Sequence, residues 1–270
     1  MPFLLPSWFP NEEMSDIRKV LTIAGSDSSA GAGIQLDLKV FERLGVYGLT
    51  VVTAVTAQNT LGVQKIHKVP PRIISAQIDS VARDIGVDAC KIGMLYDPTA
   101  VDAVAERIHR REIPNVVLDP VIAAKDGALL LAKKGIDRMK RFLIPRCLVV
   151  TPNAREAEVL SGIPVRTLKD LKQAARGVQA LGCRYVLAKG GHLKGEPVDV
   201  LFDGKEFVEL PGVRIEGPPV HGTGCAFSAA LAARIALGDS VPDGVRFAKE
   251  FVAELIKSAV KLGKGNLLIP

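Results

Sequence analysis

The stretch 20–45, VLTIAGSDSSAGAGIQLDLKVFERLG, decides how the rest of the chain is read. Val20 to Ala24 is a short apolar run that reads as a strand, and Gly25 to Gly33 is a turn built from glycine, serine and alanine around one aspartate. Ile34, Leu38, Phe41 and Leu44 then recur at helical spacing. The same strand–turn–helix rhythm repeats. Leu49 to Val55 is the next strand, and a helix through Ile74, Ile78, Val81 and Ile85 follows, opened by Pro70 and Pro71. Ala89 to Ile92, Val116 to Leu118, Leu148 to Val150 and Tyr185 to Ala188 are further strands, each bounded by helical segments. This alternation predicts the α/β class, with a mostly parallel sheet flanked by helices on both faces. Val198 to Phe202 and Glu206 to Leu210, joined by Asp203-Gly204-Lys205, predict a hairpin at the sheet edge. Gly222 to Leu237 and Val245 to Leu262 predict two closing helices. No linker or repeat divides the chain. Residues 17–270 read as one domain, and residues 1–16 as a Pro-rich N-terminal extension.

Composition removes several classes of function. With 48% apolar and 24% charged residues over 270 positions, the chain is neither disordered, collagenous nor a disulfide scaffold. Aromatic residues make up 5%, poor material for stacking nucleic-acid bases. The formal charge of +6 is spread along the chain, so it reads as a solvated surface rather than a nucleic-acid footprint. Cys90, Cys147, Cys183 and Cys225 share no CxxC spacing, which argues against zinc and for a reducing cytoplasm. The first residues lack a basic n-region, and no apolar run is long enough for a membrane span, so a soluble, cytoplasmic chain is expected. No GxxxxGK[ST] loop occurs, and neither Gly31-Ala32-Gly33 nor Gly222-Thr223-Gly224 carries the third glycine of a dinucleotide fingerprint.

Five segments carry candidate chemistry. His221-Gly222-Thr223-Gly224-Cys225 opens a helix, where free N–H groups and the positive dipole end suit the charge on a transferring phosphoryl group. Cys225 in that first turn is expected to have a lowered thiol pKa; the alternative is a small buried packing residue. The loop Gly25 to Gly33 lies at the carboxyl end of its strand, where open α/β sheets bind ligands. Asp37, one turn into the next helix, is expected either to face that cleft or to be solvated. Gln58 and Asn59 follow the strand ending at Val55, and the Gln58 amide offers donor and acceptor together, as an aminopyrimidine edge requires. Asn153 and Glu156 share one helix face, where they either order magnesium-bound water or cap the helix. Lys189, before Gly190-Gly191-His192, is a phosphate point charge or a surface lysine. His67, His109 and His192 lack metal-ligand spacing, and no direct protein ligand to a metal is assigned.

Taken together, seven segments resemble the hydroxymethylpyrimidine/phosphomethylpyrimidine kinase family of thiamine biosynthesis, within the ribokinase-like superfamily. They are LTIAGSDSSAGAGIQLDLK (21–39), VTAVTAQNTLGV (52–63), KIGML (91–95), VLDPVIAAKDG (117–127), TPNAREAE (151–158), KGGHL (189–193) and HGTGC (221–225), in that order. The resemblance implies a three-layer α/β/α fold and two ATP-dependent phosphorylations. The first falls on the hydroxymethyl oxygen of 4-amino-5-hydroxymethyl-2-methylpyrimidine, the second on the monophosphate. Carried over residue by residue, it implies that Gln58 reads the pyrimidine and that Gly25, Ala32, Asp37, Met94 and Val121 line or support the substrate pocket. It further implies that Lys189, Asn153 and Glu156 serve the nucleotide phosphates and Mg²⁺, with Asp119 bordering them. Gly222, Thr223, Gly224 and Cys225 match the anion hole, Cys225 standing where ribokinase relatives carry a catalytic aspartate and accepting the proton late. A homodimer is the expected assembly, with ATP and Mg²⁺ as cofactors and neither nucleic acid nor membrane as partner. Ser29-Ala30 replaces an expected Gly-rich pair, Leu36 stands where a small residue is usual, and Ile122-Ala123-Ala124 departs from a Met-containing run. The competing readings are a pyridoxal kinase on the same scaffold, a non-catalytic pyrimidine sensor, and an RNA-binding role driven by charge.

Overall fold

Alternation along the first strand sets the architecture. In the computed structural model, which describes residues 17–124, 127–191, 193 and 196–270, β1 (Lys19–Asp27) sends Leu21 and Ile23 into one buried core and Val20 into another on the opposite face. The stretch 1–16, expected as an extension, and His192 lie outside the described residues. The chain leaves β1 through α1 (Gly33–Arg43) to β2 (Tyr47–Asn59), pairs it with β3 (Gly62–Lys68), and returns by α2 (Pro71–Asp84) to β4 (Ala89–Ile92). It continues through α3 (Pro98–Arg110), β5 (Val116–Leu118), α4 (Lys133–Arg138) and β6 (Val149–Val150). After α5 (Ala154–Ser161) and α6 (Leu168–Gln179) come β7 (Tyr185–Ala188), β8 (Val198–Phe202) and β9 (Phe207–Pro211), then α7 (Thr223–Ala236) and α8 (Val241–Lys257).

Among the described residues one nine-stranded sheet results, in the order β3-β2-β1-β4-β5-β6-β7-β8-β9. The central pairings from β2 through β7 are parallel, and antiparallel strands close both ends. The two cores on its faces make three layers: α2 to α6 cover one face, and α1, α7 and α8 the other. The three-layer α/β/α expectation is met. Because β1 has β2 on one side and β4 on the other, the chain reverses its direction of progress at β1. Such a switch point opens a crevice outside the strands' carboxyl ends.

Local chemistry explains the helix limits. Pro71 occupies the first position of α2, where its missing N–H loses no hydrogen bond. Asp97 caps α3 by accepting from Thr99 N, and Thr167 and Asp170 form a reciprocal capping box on α6. Ser240 caps α8, which therefore starts at Val241 rather than Val245 and ends at Lys257, short of Leu262. The strand β2 runs beyond Val55 to Asn59 because β3, which the sequence pattern did not reveal, pairs with it from Ala54 to Asn59. Gln58 and Asn59 thus lie in an edge hairpin, not in a loop. The hairpin β8–β9 does form the opposite edge.

Asp37 neither faces the cleft nor meets solvent. It is fully buried, takes both its oxygens to Lys91 Nζ at 2.9 and 2.7 Å, and accepts from Thr22 Oγ1 at 2.6 Å. Lys91 on β4 is equally buried. Burial opposes its charge, but Asp37 outweighs that and keeps it protonated above its ordinary range. The pair fastens α1 to β1 and β4 at the switch point. Breaking one member of such a pair strands the other's charge, so Asp37→Ala should lower stability by about 3–5 kcal/mol. Urea unfolding measures this; a loss under ~1 kcal/mol would mean that Lys91 finds another partner.

Candidate active site

Two loops meet at the crevice because glycine lets their backbones touch. Gly222, at φ +80°, caps α7, and a Cβ there would collide with the Gly31 carbonyl and the Leu36 side chain. Leu36, which stands where a small residue is usual, packs beneath Gly222. Gly31 in turn leaves space for the His221 ring. Asp27, Ser28, Ser29 and Ala30 make a tight turn closed by Ala30 N–H on Asp27 O at 2.9 Å, with Ala30 at φ +55°. The glycine expected there is replaced by an alanine in the left-handed region. Ser29 compensates by donating its N–H and its hydroxyl to Asp27 Oδ1, both at 2.8 Å.

The first turn of α7 presents the N–H groups of Thr223, Gly224 and Cys225, which have no acceptor within the helix. Beside Gly224 lie Lys189 Nζ and Asp119 Oδ2, close enough that a Cβ there would meet them at 3.6 and 3.5 Å. Lys189 pairs with Asp119 at 3.1 Å. Burial works against the lysine's charge, yet Asp119 and Glu156 together hold it protonated above its ordinary range. The strands deliver these groups in order: Asp119 directly follows β5, Asn153 opens α5 after β6, and Lys189 follows β7, bridging back to Asn153.

Asn153 and Glu156 form a reciprocal capping box, with Asn153 N–H on Glu156 Oε2 at 2.8 Å and Glu156 N–H on Asn153 Oδ1 at 3.0 Å. The capping alternative is therefore realised. It does not exhaust Glu156, which is buried near Asp119 and Lys189. Burial, then the Asp119 charge, push its carboxyl up to about 7.

Cys225 departs from expectation. Burial raises its thiol above the ordinary range, outweighing the nearby Lys91 charge and a hydrogen bond from the Gly33 backbone. Desolvation is the largest influence on it here. Of the other residues expected at the substrate pocket, Gly25 and Met94 are neighbours, since a Cβ on Gly25 would overlap Met94 Cε. Ala32 caps α1, and Val121 sits beyond Asp119 with its N–H on the Asp119 carbonyl at 2.8 Å. Gln58 is drawn into the Gly25 to Gly33 loop: its backbone exchanges hydrogen bonds with Ser28 Oγ at 2.7 and 2.8 Å, and Asp27 and His221 reach its amide.

Two contacts of candidate residues escaped the sequence reading. Lys91 as partner of Asp37 had a signal, being the one charge in the buried strand ACKI. Asp27 beside Gln58 had none, because 31 positions separate them.

A family model described as phosphomethylpyrimidine kinase matches residues 27–269. The hydroxymethylpyrimidine/phosphomethylpyrimidine kinase of Bacillus subtilis is 43% identical over 252 residues, 93% of each chain. The chain belongs to the phosphomethylpyrimidine kinase family. A crystal structure of a phosphomethylpyrimidine kinase from Clostridium difficile has a TM-score of 0.80 at 38% identity, covering 88% of this chain and 99% of that one. The pyridoxal kinase of Staphylococcus aureus, solved with AMP-PCP and pyridoxal, has a TM-score of 0.86 at 34% identity, covering 94% and 93%. The ribokinase-like fold is common to all three. No helix among the described residues is long and apolar enough to cross a membrane.

The Glu156 shift has a direction that can be measured. Its folded value of about 7 exceeds the ordinary 4.5, so between those pH values the folded chain holds a proton that the unfolded chain releases. Stability should fall as pH rises through that window. Glu156→Gln should flatten the fall in urea midpoints between pH 4.5 and 7; a profile parallel to the parent's would contradict the assignment.

Proposed function

We propose that the chain phosphorylates 4-amino-5-hydroxymethyl-2-methylpyrimidine with ATP and then phosphorylates the monophosphate to the diphosphate. The observation that carries this is the Lys189–Asp119 pair against Gly224, at the free N–H groups of α7 and on the same sheet edge as Gln58. A cation, a helix start and an amide reader on one edge suit phosphoryl transfer to a small heteroaromatic alcohol. The loose transition state of that reaction needs positioning and charge neutralisation more than covalent help.

The described residues hold no cluster of three or more His, Cys, Asp or Glu that could cage a metal. Asp119 and Glu156 instead share the Lys189 environment, which fits an ion carried on nucleotide phosphates and reached through water. Mg²⁺ bound with the nucleotide would supply charge neutralisation on the phosphate oxygens. Lys189 and the N–H groups of Thr223, Gly224 and Cys225 are assigned to the equatorial oxygens of the transferring group. Cys225 is assigned to the substrate hydroxyl proton. Because burial raises its thiol, it must first release its own proton to solvent, and the thiolate fraction then takes the hydroxyl proton as the new oxygen–phosphorus bond forms and the bond to the departing nucleotide breaks.

The direct test incubates the purified chain with Mg-ATP and the hydroxymethylpyrimidine and follows products by mass. Monophosphate followed by diphosphate is expected. Binding of the pyrimidine without any product would favour the sensor, and turnover of pyridoxal alone would favour the pyridoxal enzyme. The Cys225 role makes a separate prediction. If the thiolate is the proton acceptor, kcat should climb with pH toward and beyond the ordinary thiol value of 9.0, because burial raises the Cys225 thiol above it. Cys225→Ala should lower kcat by about 10²–10⁴-fold and abolish the climb. A kcat within a few-fold of the parent, with the climb retained, would leave Cys225 without a base role.

A further inference from the structure

Lys91 is a fully buried ammonium to which the proposed phosphoryl transfer gives no part. Ala89, Lys91 and Gly93 alternate onto the sheet face that carries α1 and α7, and Lys91 stands between Thr22 of β1 and Val117 of β5. The next row toward the crevice is Ala24, Gly93 and Asp119. Gly93 has no side chain there, and a Cβ would lie 2.9 Å from Lys91 Nζ. The ammonium therefore rises into the row of Asp119, whose Oδ2 lies beside Gly224 in the first turn of α7. The helix α1 sets how close this charge comes to Cys225. Asp37, which holds Lys91 Nζ at 2.7 and 2.9 Å, stands four positions after Gly33, whose backbone reaches the Cys225 sulfur. Residues so spaced lie on one helix face, a single turn apart. Cys225 itself packs against the core on the face that Lys91 occupies. The charged groups facing the sulfur are Lys91 on β4, Asp37 on α1, Asp119 after β5 and Lys189 after β7. Burial raises the thiol most. Among the charges Lys91 acts most strongly, toward the thiolate, and Asp37 and Asp119 oppose it.

We propose that Lys91 is a positioning residue for phosphoryl transfer, its buried ammonium serving as the fixed counter-charge of the Cys225 thiolate. The physical reason is desolvation. A buried sulfur anion lacks water to solvate it, and an unpaired buried charge is costly. A cation already in place lowers that cost with no rearrangement at the moment of proton transfer. Asp37 keeps Lys91 charged within the protein, and Thr22, donating to Asp37 Oδ2 at 2.6 Å, ties the carboxylate to β1. Lys91 is assigned no contact with the substrate and acts through Cys225. The inference rests on the assignment of the hydroxyl proton to Cys225, and adds the group that sets how much thiolate is there to take it.

Two variants test this. Lys91→Met removes the cation, and the sign is the same whether Asp37 then takes a proton or not, since a remaining carboxylate also opposes the thiolate. Lys91→Met/Asp37→Asn removes the cation without stranding a buried charge, so the test does not depend on the single variant folding. Iodoacetamide reacts with the thiolate, so the rate of Cys225 alkylation without substrate, read by peptide mass, follows the thiolate fraction. The buried Cys90, Cys147 and Cys183 serve as unreactive references. Below the ordinary thiol value of 9.0, alkylation of Cys225 should slow by about tenfold in both variants, and kcat should fall by the same factor. KM for the aminopyrimidine should stay at the parent's value. Raising the pH should close both gaps, which a damaged fold would not do. Alkylation of Cys225 with the parent's pH profile in either folded variant overturns the proposal, whatever happens to kcat. A fall in kcat that persists at every pH also overturns it and leaves Lys91 a structural role. Alkylation that slows while kcat stays at the parent's value shows that Cys225 does not take the proton, and the proposal falls with that assignment.

Discussion

The backbone contact between Gly222 and the Gly31 carbonyl holds the site together. It brings the start of α7 against the loop that opens α1, so two helix N-termini face one crevice at the carboxyl end of β1. Any side chain at 222 would force the loops apart, and the φ of +80° there independently favours glycine. Three consequences follow from the one approach. The N–H groups of α7 become available to an anion beside Lys189. The Gly33 backbone reaches the Cys225 sulfur. The His221 ring is laid over Gly31, within reach of Gln58 and Asp27. Leu36 closes the arrangement from below, which is why a large residue is accommodated where a small one was expected.

Charge at this edge is arranged to keep lysines protonated rather than to build a positive pocket. Lys91 is matched by Asp37, and Lys189 by Asp119 and Glu156, so the carboxylates outnumber the ammonium groups. Such a set does not by itself attract a polyphosphate. On the proposed reaction, attraction would come from the dipole end of α7 and from cationic charge arriving with the nucleotide, to which the raised Glu156 carboxyl could respond by giving up its proton. The same crowding accounts for Cys225. Lys91 and the Gly33 backbone favour a thiolate, but burial beside Asp37 and Asp119 favours the thiol and prevails. In a loose transition state the acceptor oxygen loses its proton late, so on the proposed reaction only the minor thiolate fraction of Cys225 would take that proton.

Much of this was legible in the sequence because it is local. Strand and helix positions followed from periodicity, and Ala89 to Ile92, Val116 to Leu118 and Tyr185 to Ala188 coincide with β4, β5 and β7. The candidate loops lie at strand ends, and a parallel sheet gathers strand ends on one edge; order therefore placed Asn153 and Lys189 on that edge, and the family resemblance added Asp119. What stayed hidden depends on distant partners. Asp37 looked like a cleft or surface carboxylate because nothing near it in the chain announces Lys91, 54 positions away. The Cys225 thiol was misjudged because a helix start is visible in sequence and desolvation is not. The strand β3 was missed because GVQKIHK lies at the exposed edge and shows no apolar alternation.

The last element that the site needs is the C-terminal tail. His221 N–H donates to Leu267 O at 2.8 Å, Asn266 N–H to Thr60 O at 2.9 Å, and Lys39 Nζ reaches the Ile269 carbonyl at 3.4 Å. Leu268 packs toward Gly31, and Gly263 and Gly265 are glycines where a Cβ would run into Thr60. One strap thereby touches the turn of the β2–β3 hairpin that carries Gln58, the segment that carries His221, and the helix that carries Asp37. An edge hairpin with an exposed strand such as β3 has little packing of its own to fix its register. The ångström-scale placement of the Gln58 amide against Asp27 and His221 thus depends on residues more than 200 positions along the chain, because Gly265 N–H and Asn266 N–H both close on Thr60.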